Sequence, residues 1–171
     1  MSETILFLDL SDLSLRGGER FERDYDLEMA PIVLGGERYE VVLSEAVAVA
    51  VDRVAGGFLV RVSVGAQVYG PCARCLREVM VKVQTSEEEF VPTSPEGWDE
   101  TELSTFVDGL VVDIAGIARE AVVLALPTQV LCSTECRGLC PQCGKDLNLG
   151  PCDCLPQEVD ERWAKLREIR W

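Results

Sequence analysis

The sequence predicts an α+β fold: an antiparallel β-meander or partly closed barrel, one central helix, a C-terminal cysteine-rich zinc module and a terminal helix. Three observations lead there. Apolar, β-branched residues alternate with period two from Tyr39 to Val91, helical spacing appears after Asp113 and after Pro156, and eight cysteines gather at 72–75 and 132–154. At 171 residues the chain can bury a sizeable core in one domain with a small appendage. We expect a β-rich core over 1–131 and a metal-binding module with its helix over 132–171, joined to the core through Cys72 and Cys75.

The strands come first. Val41, Leu43, Val47, Val49 and Val51 alternate with Val42, Ser44, Ala46, Ala48 and Ala50, which places the two sets on opposite faces of one strand. Gly56-Gly57 is a hairpin signal. The next strand sets Phe58, Val60, Val62, Val64 and Val68 against Arg61, Ser63 and Gln67. Gly70-Pro71 breaks it, and Val79, Val81 and Val83 restart the alternation against Lys82 and Gln84. Ile5–Leu10 and Arg20–Leu27 offer one or two further strands. Residues 86–104, with Glu87, Glu88, Glu89, Pro92, Pro95, Gly97 and Glu100, read as an exposed acidic loop.

The helices carry their own punctuation. Asp113 is placed to cap a helix bearing Ile114, Ile117, Ala121, Val122 and Ala125 on one face, and Pro127 stops it. A terminal helix begins near Pro156, where proline is tolerated in the first turn. Val159, Trp163, Leu166 and Ile169 form its apolar stripe, and Glu158–Arg162 and Glu161–Lys165 are favourably oriented i,i+4 pairs.

Composition excludes several functions. The formal charge is −14, and 86–113 alone holds nine carboxylates and no cation, so no broad basic face is available to coat nucleic acid. The chain has no histidine, hence no imidazole base and no Cys–His or Ser–His pair. The first residues lack a basic leader region, and the apolar run Ile5–Leu8 stops at Asp9. No run of 18 apolar residues suggests a membrane span. A cytoplasmic protein with reduced thiols follows, and eight cysteines there indicate metal rather than disulfides.

The spacing of the cysteines supports this. Cys72-Ala73-Arg74-Cys75 and Cys140-Pro141-Gln142-Cys143-Gly144 are knuckles, in which two cysteines on a tight turn aim both thiolates at one point. Gly144 permits the positive φ that turns backbone N–H groups toward sulfur. The simplest grouping joins Cys72 and Cys75 with Cys132 and Cys136, and Cys140 and Cys143 with Cys152 and Cys154. An alternative pairs the two knuckles in zinc-ribbon style. The single spacer in Cys152-Asp153-Cys154 makes the second site the harder to close. Two structural zinc ions are expected; an iron–sulfur cluster also accepts four thiolates, and a redox C-x-x-C would need a βαβ setting that this segment lacks. Arg74, Arg77, Arg137 and Lys145 stand beside the ligands as candidate RNA contacts.

These residues resemble a known family. Cys72-Ala73-Arg74-Cys75-Leu76 after a meander, Leu124-Ala125-Leu126-Pro127 ending a helix, the run Cys136 to Asn148, and a Cys-x-Cys before Asp160-Glu161-Arg162-Trp163-Ala164-Lys165-Leu166 look like the bacterial and plastid YceD family, the large ribosomal RNA subunit accumulation proteins. The similarity runs from about residue 15 to 170. It implies a cytoplasmic, non-catalytic factor in large-subunit biogenesis, needed for 23S rRNA accumulation, with large-subunit rRNA or basic ribosomal proteins as partners. No membrane and no small-molecule substrate are expected. The alternatives are a zinc-stabilised protein-interaction adaptor unrelated to ribosomes and a thiol or metal enzyme; two closed four-thiolate sites leave the enzyme no open coordination position.

Overall fold

The computed structural model of the chain describes residues 6–94, 97–98 and 104–154. The expected terminal helix, with Val159, Trp163, Leu166 and Ile169, lies outside the described residues. In chain order the elements are β1 (Phe7–Asp9), β2 (Arg20–Tyr25), β3 (Ile32–Leu34), β4 (Glu37–Leu43), β5 (Val47–Val54), β6 (Gly57–Pro71), β7 (Glu78–Pro92), β8 (Val107–Asp108), β9 (Val111–Asp113) and α1 (Ile114–Ala125).

The central strand is β6. Along one edge it pairs first with β5 and then with β4; along the other it pairs with β7 over its whole length. Beyond β5 and β4 lie β2 and β3, so the chain runs as a four-stripe antiparallel meander. The stripes are open at β7 and at β2/β3 among the described residues, so the meander, and not the barrel, describes this sheet. The segment from Tyr39 to Val51 is two strands rather than one. Residues 44–47 stand opposite only 64–65, and this bulge kinks the stripe while the Ser44 N–H still donates to the Gly65 carbonyl at 2.8 Å. Two extra residues preserve the parity, and Val41, Val47, Val49 and Val51 remain buried on one face.

On β6 the alternation holds throughout: Phe58, Val60, Val62, Val64, Ala66 and Val68 are buried. The turn before it is Ala55-Gly56, one residue earlier than the glycine pair suggested, with Gly56 at φ +82°. The largest correction concerns 86–104. β7 continues through Pro92, and Glu87, Glu88 and Glu89 pair with Val62, Arg61 and Val60. Charge alone suggested a loop, but an edge strand leaves carboxylates in water, and Glu88 accepts a hydrogen bond from Arg61 Nε at 2.6 Å.

A small sheet, ordered β1-β9-β8, leads into α1. The Asp113 carboxylate accepts from the Gly116 N–H at 2.9 Å, as the capping reading requires. Ile114, Ile117, Ala118, Ala121 and Val122 are buried where α1 packs on β6 and β7, whereas Ala125 is exposed and Leu126 takes the buried position. Arg119 ties the helix to the carbonyls of Ala30 and Pro31 at 2.6 and 2.9 Å.

The end of β6 is fastened by Tyr39, whose hydroxyl donates to the Pro71 carbonyl at 2.9 Å just before the first knuckle. A Cβ on Gly70 would stand 2.2 Å from the Tyr39 ring, so glycine is required there. Gly70→Ala is expected to lower stability by about 1–3 kcal/mol through forced displacement of that ring, measured by denaturant unfolding.

Candidate metal centres

The tip of the β6–β7 hairpin is the first knuckle. Its Cys72 N–H donates to the Arg77 carbonyl at 2.8 Å and its Leu76 N–H to the Cys72 carbonyl at 3.0 Å. The second knuckle repeats this turn: Cys140 N–H to Lys145 O at 2.9 Å, and Gly144 N–H to Cys140 O at 2.8 Å. Both turns need a left-handed residue after the second cysteine. Gly144 provides it at φ +72°, whereas Leu76 adopts φ +58° at a steric cost that glycine avoids.

The eight thiols fall into two groups of four, Cys72, Cys75, Cys132 and Cys136, and Cys140, Cys143, Cys152 and Cys154; within each group all sulfurs lie within 4.8 Å of one another. This is the simpler grouping, and it removes the zinc-ribbon alternative. None of the eight is disulfide-bonded. Cys152 and Cys154 both reach the second group despite their single spacer.

The spacing of the sulfurs suits one ion per group. A thiolate–zinc distance of about 2.3 Å puts the edge of a tetrahedron at about 3.8 Å. Cys72 and Cys136 are 3.8 Å apart, Cys75 and Cys132 3.6 Å, and Cys140 and Cys152 3.4 Å. Either group could hold a metal ion.

Backbone donors prepare the thiolates. Burial would raise the Cys72 thiol, but N–H groups from Arg74, Cys75 and Cys132 outweigh it and bring it to about 6. Cys140 is lowered to about 6 by the N–H groups of Cys143 and Gln142. Cys132 and Cys154 are pushed up to about 12, chiefly by sharing their protons with Cys136 and Cys143 respectively. In each group, then, backbone donors favour the thiolate form of one sulfur, and a metal ion bound there would displace the protons of the others.

The two groups interlock. Gly138, at φ +73°, lies so near the first knuckle that a Cβ would come within 2.9 Å of the Arg74 carbonyl, which accepts from the Leu139 N–H at 3.0 Å. From the second module Asn148 Nδ2 approaches Cys136 Sγ at 3.5 Å, while its Oδ1 accepts from the Arg137 N–H at 2.8 Å. Asp146 holds the Asn148 backbone N–H at 2.9 Å and bonds Arg77 Nη2 at 2.8 Å. Asp146 and Asn148 were not singled out from sequence; the D-x-N pattern of an Asx turn was the signal present. Asn148→Ala is expected to weaken metal binding at the first group by about 10-fold or more, as loss of a ligand-orienting partner does, measured by competition with a chromophoric chelator.

Three of the four candidate RNA contacts are exposed residues that also bond within the chain. Arg74 Nη1 donates to the Cys136 carbonyl at 3.0 Å, Arg77 pairs with Asp146, and Lys145 Nζ donates to the Pro151 carbonyl at 2.7 Å. Arg137 is exposed. No helix among the described residues is long and apolar enough to cross a membrane.

Comparison with known proteins gives concordant results. An uncharacterized protein of Mycobacterium tuberculosis is 34% identical over 168 residues, covering 95% of this chain and 80% of its own length. The chloroplastic large ribosomal RNA subunit accumulation protein YCED homolog 1 of Arabidopsis thaliana is 34% identical over 59 residues, 34% of this chain and 18% of that one. YlbN of Bacillus subtilis, also uncharacterized, is 29% identical over 101 residues, 58% of each. No solved structure matches the chain. The family model described as large ribosomal RNA subunit accumulation protein YceD matches residues 60–170, which take in most of β6, both knuckles, β7, α1 and all eight cysteines. On that match the chain belongs to the YceD family.

Proposed function

We propose that the protein is a non-catalytic, cytoplasmic factor in large-subunit biogenesis, needed for 23S rRNA to accumulate, and that it acts by binding ribosomal proteins or rRNA. The observation that carries this reading is the family match over residues 60–170. The direct contact we favour is a basic ribosomal protein. A chain of charge −14 attracts cations, and three of its four knuckle-side cations are already held by its own carbonyls and carboxylates.

Each thiol group would hold one zinc ion. The four-sulfur donor set and near-tetrahedral edges support zinc, and a four-iron cluster, with each thiolate on a different iron, would need the sulfurs spread wider than 4.8 Å. Bound there, zinc supplies a crosslink: the first site pins the hairpin tip to the segment after α1, and the second folds a short segment with no core of its own. Four thiolates complete the coordination shell, which supports a binding role over catalysis. Metal analysis of the purified chain should give two zinc per molecule; iron in their place rejects zinc. Depletion in growing cells should lower 23S relative to 16S rRNA, and an unchanged ratio rejects the ribosomal role.

A further inference from the structure

The outer edge of β7 is long for one that no strand covers among the described residues. The Cys72 N–H donates to Arg77 O at one end of the β6–β7 hairpin and the Thr93 N–H to Gly56 O at the other, with an unbroken register between them. Odd-numbered residues of β7 therefore exchange hydrogen bonds with β6, and even-numbered residues from Glu78 to Phe90 point their N–H and C=O groups outward. No described strand pairs with that edge. Proteins usually guard edges with short strands, bulges or prolines. From Glu78 to Val91 this one has neither bulge nor proline over about 45 Å at the usual rise per residue.

Charge and shape define what fits beside it. β7 carries Glu78, Glu87, Glu88 and Glu89 against one cation, Lys82. Glu88 is held by Arg61, while Glu87 and Glu89 lie on the helix-facing side together with Val79, Val81 and Val83. On α1, at 100° per residue, Glu120 and Leu124 fall on the flank opposite Arg119, which reaches the segment before β3. They therefore overhang the β7 side, and Leu124 is 65% exposed.

We propose that the β7 edge docks an extended, lysine- or arginine-rich segment of a basic protein as an added antiparallel strand. Cations of that segment stand opposite Glu87 and Glu89, and apolar side chains opposite Val79, Val81 and Val83 beneath Leu124. The proposal rests on the ribosomal-protein reading above and names the surface that reading lacks. Backbone hydrogen bonds supply affinity, and the carboxylates select a cationic strand.

The probe is a synthetic peptide, KTKTTTVTVTV, whose lysines stand opposite Glu89 and Glu87 and whose valines stand opposite Val83, Val81 and Val79, added to the zinc-loaded full chain, with ETETTTVTVTV as control. Residue-resolved hydrogen exchange should slow at least tenfold at the N–H groups of Met80, Lys82, Gln84, Ser86 and Glu88 with the lysine peptide only. Gln84→Pro, which removes an outward donor and no ladder bond, should weaken binding at least tenfold with unchanged melting. Glu87→Lys with Glu89→Lys should do the same. Equal protection by both peptides, or none, overturns the proposal. So does slow exchange of these amides without peptide, whether constant (the edge is covered by the chain itself) or rising with protein concentration (a second copy). If the peptide fails while depletion still lowers 23S rRNA, the edge assignment alone falls.

Discussion

Cys75→Ser is expected to release metal from the first group and lower global stability by about 4 kcal/mol, the loop-closure value for a crosslink spanning some sixty residues. The crosslink is non-local: Cys75 meets Cys132 across 57 positions and Cys72 meets Cys136 across 64. It holds the tip of the longest hairpin against the chain leaving α1, and Ala73 N–H to Val130 O at 2.8 Å is the backbone bond it protects. Cys72, Cys75 and Cys136 form a small buried cluster of their own, so serine there also leaves a hydroxyl without its metal partner. Denaturant unfolding should show a lower midpoint with an unchanged slope. A midpoint within error of the native protein would mean that the first group is not metal-linked in solution.

Cys143→Ser should have a large effect of a different kind. Between Cys140 and Cys154 nothing supplies a core: Leu147 and Leu149 sit on a single turn with no buried residue, and Leu149 is 80% exposed. Metal binding at such sites contributes on the order of 10 kcal/mol, and here it is the folding free energy of the segment. The variant should bind one zinc rather than two and become protease-sensitive within 140–154, while the meander melts as before. The effect reaches the first group through Asn148 and through the Asp146–Arg77 pair, and loss of position of Asn148 should weaken binding there about tenfold. Global unfolding equal to that of Cys75→Ser would reject two separate sites.

Much of this was legible in sequence because it depends on local periodicity. Alternating valines marked the buried faces of β4 to β7, and Asp113 and Pro127 bounded α1, because capping and proline chemistry act within a turn. Glu87-Glu88-Glu89 misled because charge reports solvent contact and not backbone conformation. An edge strand satisfies both, with Arg61 across the ladder to receive Glu88. Arg74, Arg77 and Lys145 bond the Cys136 carbonyl, the Asp146 carboxylate and the Pro151 carbonyl, contacts across 6 to 69 positions that their place beside the cysteines does not encode.

By itself the sequence determined the ligand chemistry and the local pieces. Eight cysteines and no histidine make both candidate centres all-sulfur, and the two C-x-x-C turns are built from short-range hydrogen bonds that need nothing else. Only the tertiary structure decided which thiols share a centre, that Asn148 reaches from one centre to the other, and that β7 ends the described sheet with its edge bare. Those are contacts across ten to sixty residues, set by where the β6–β7 hairpin and α1 deliver the chain, and no spacing rule within a single segment encodes them.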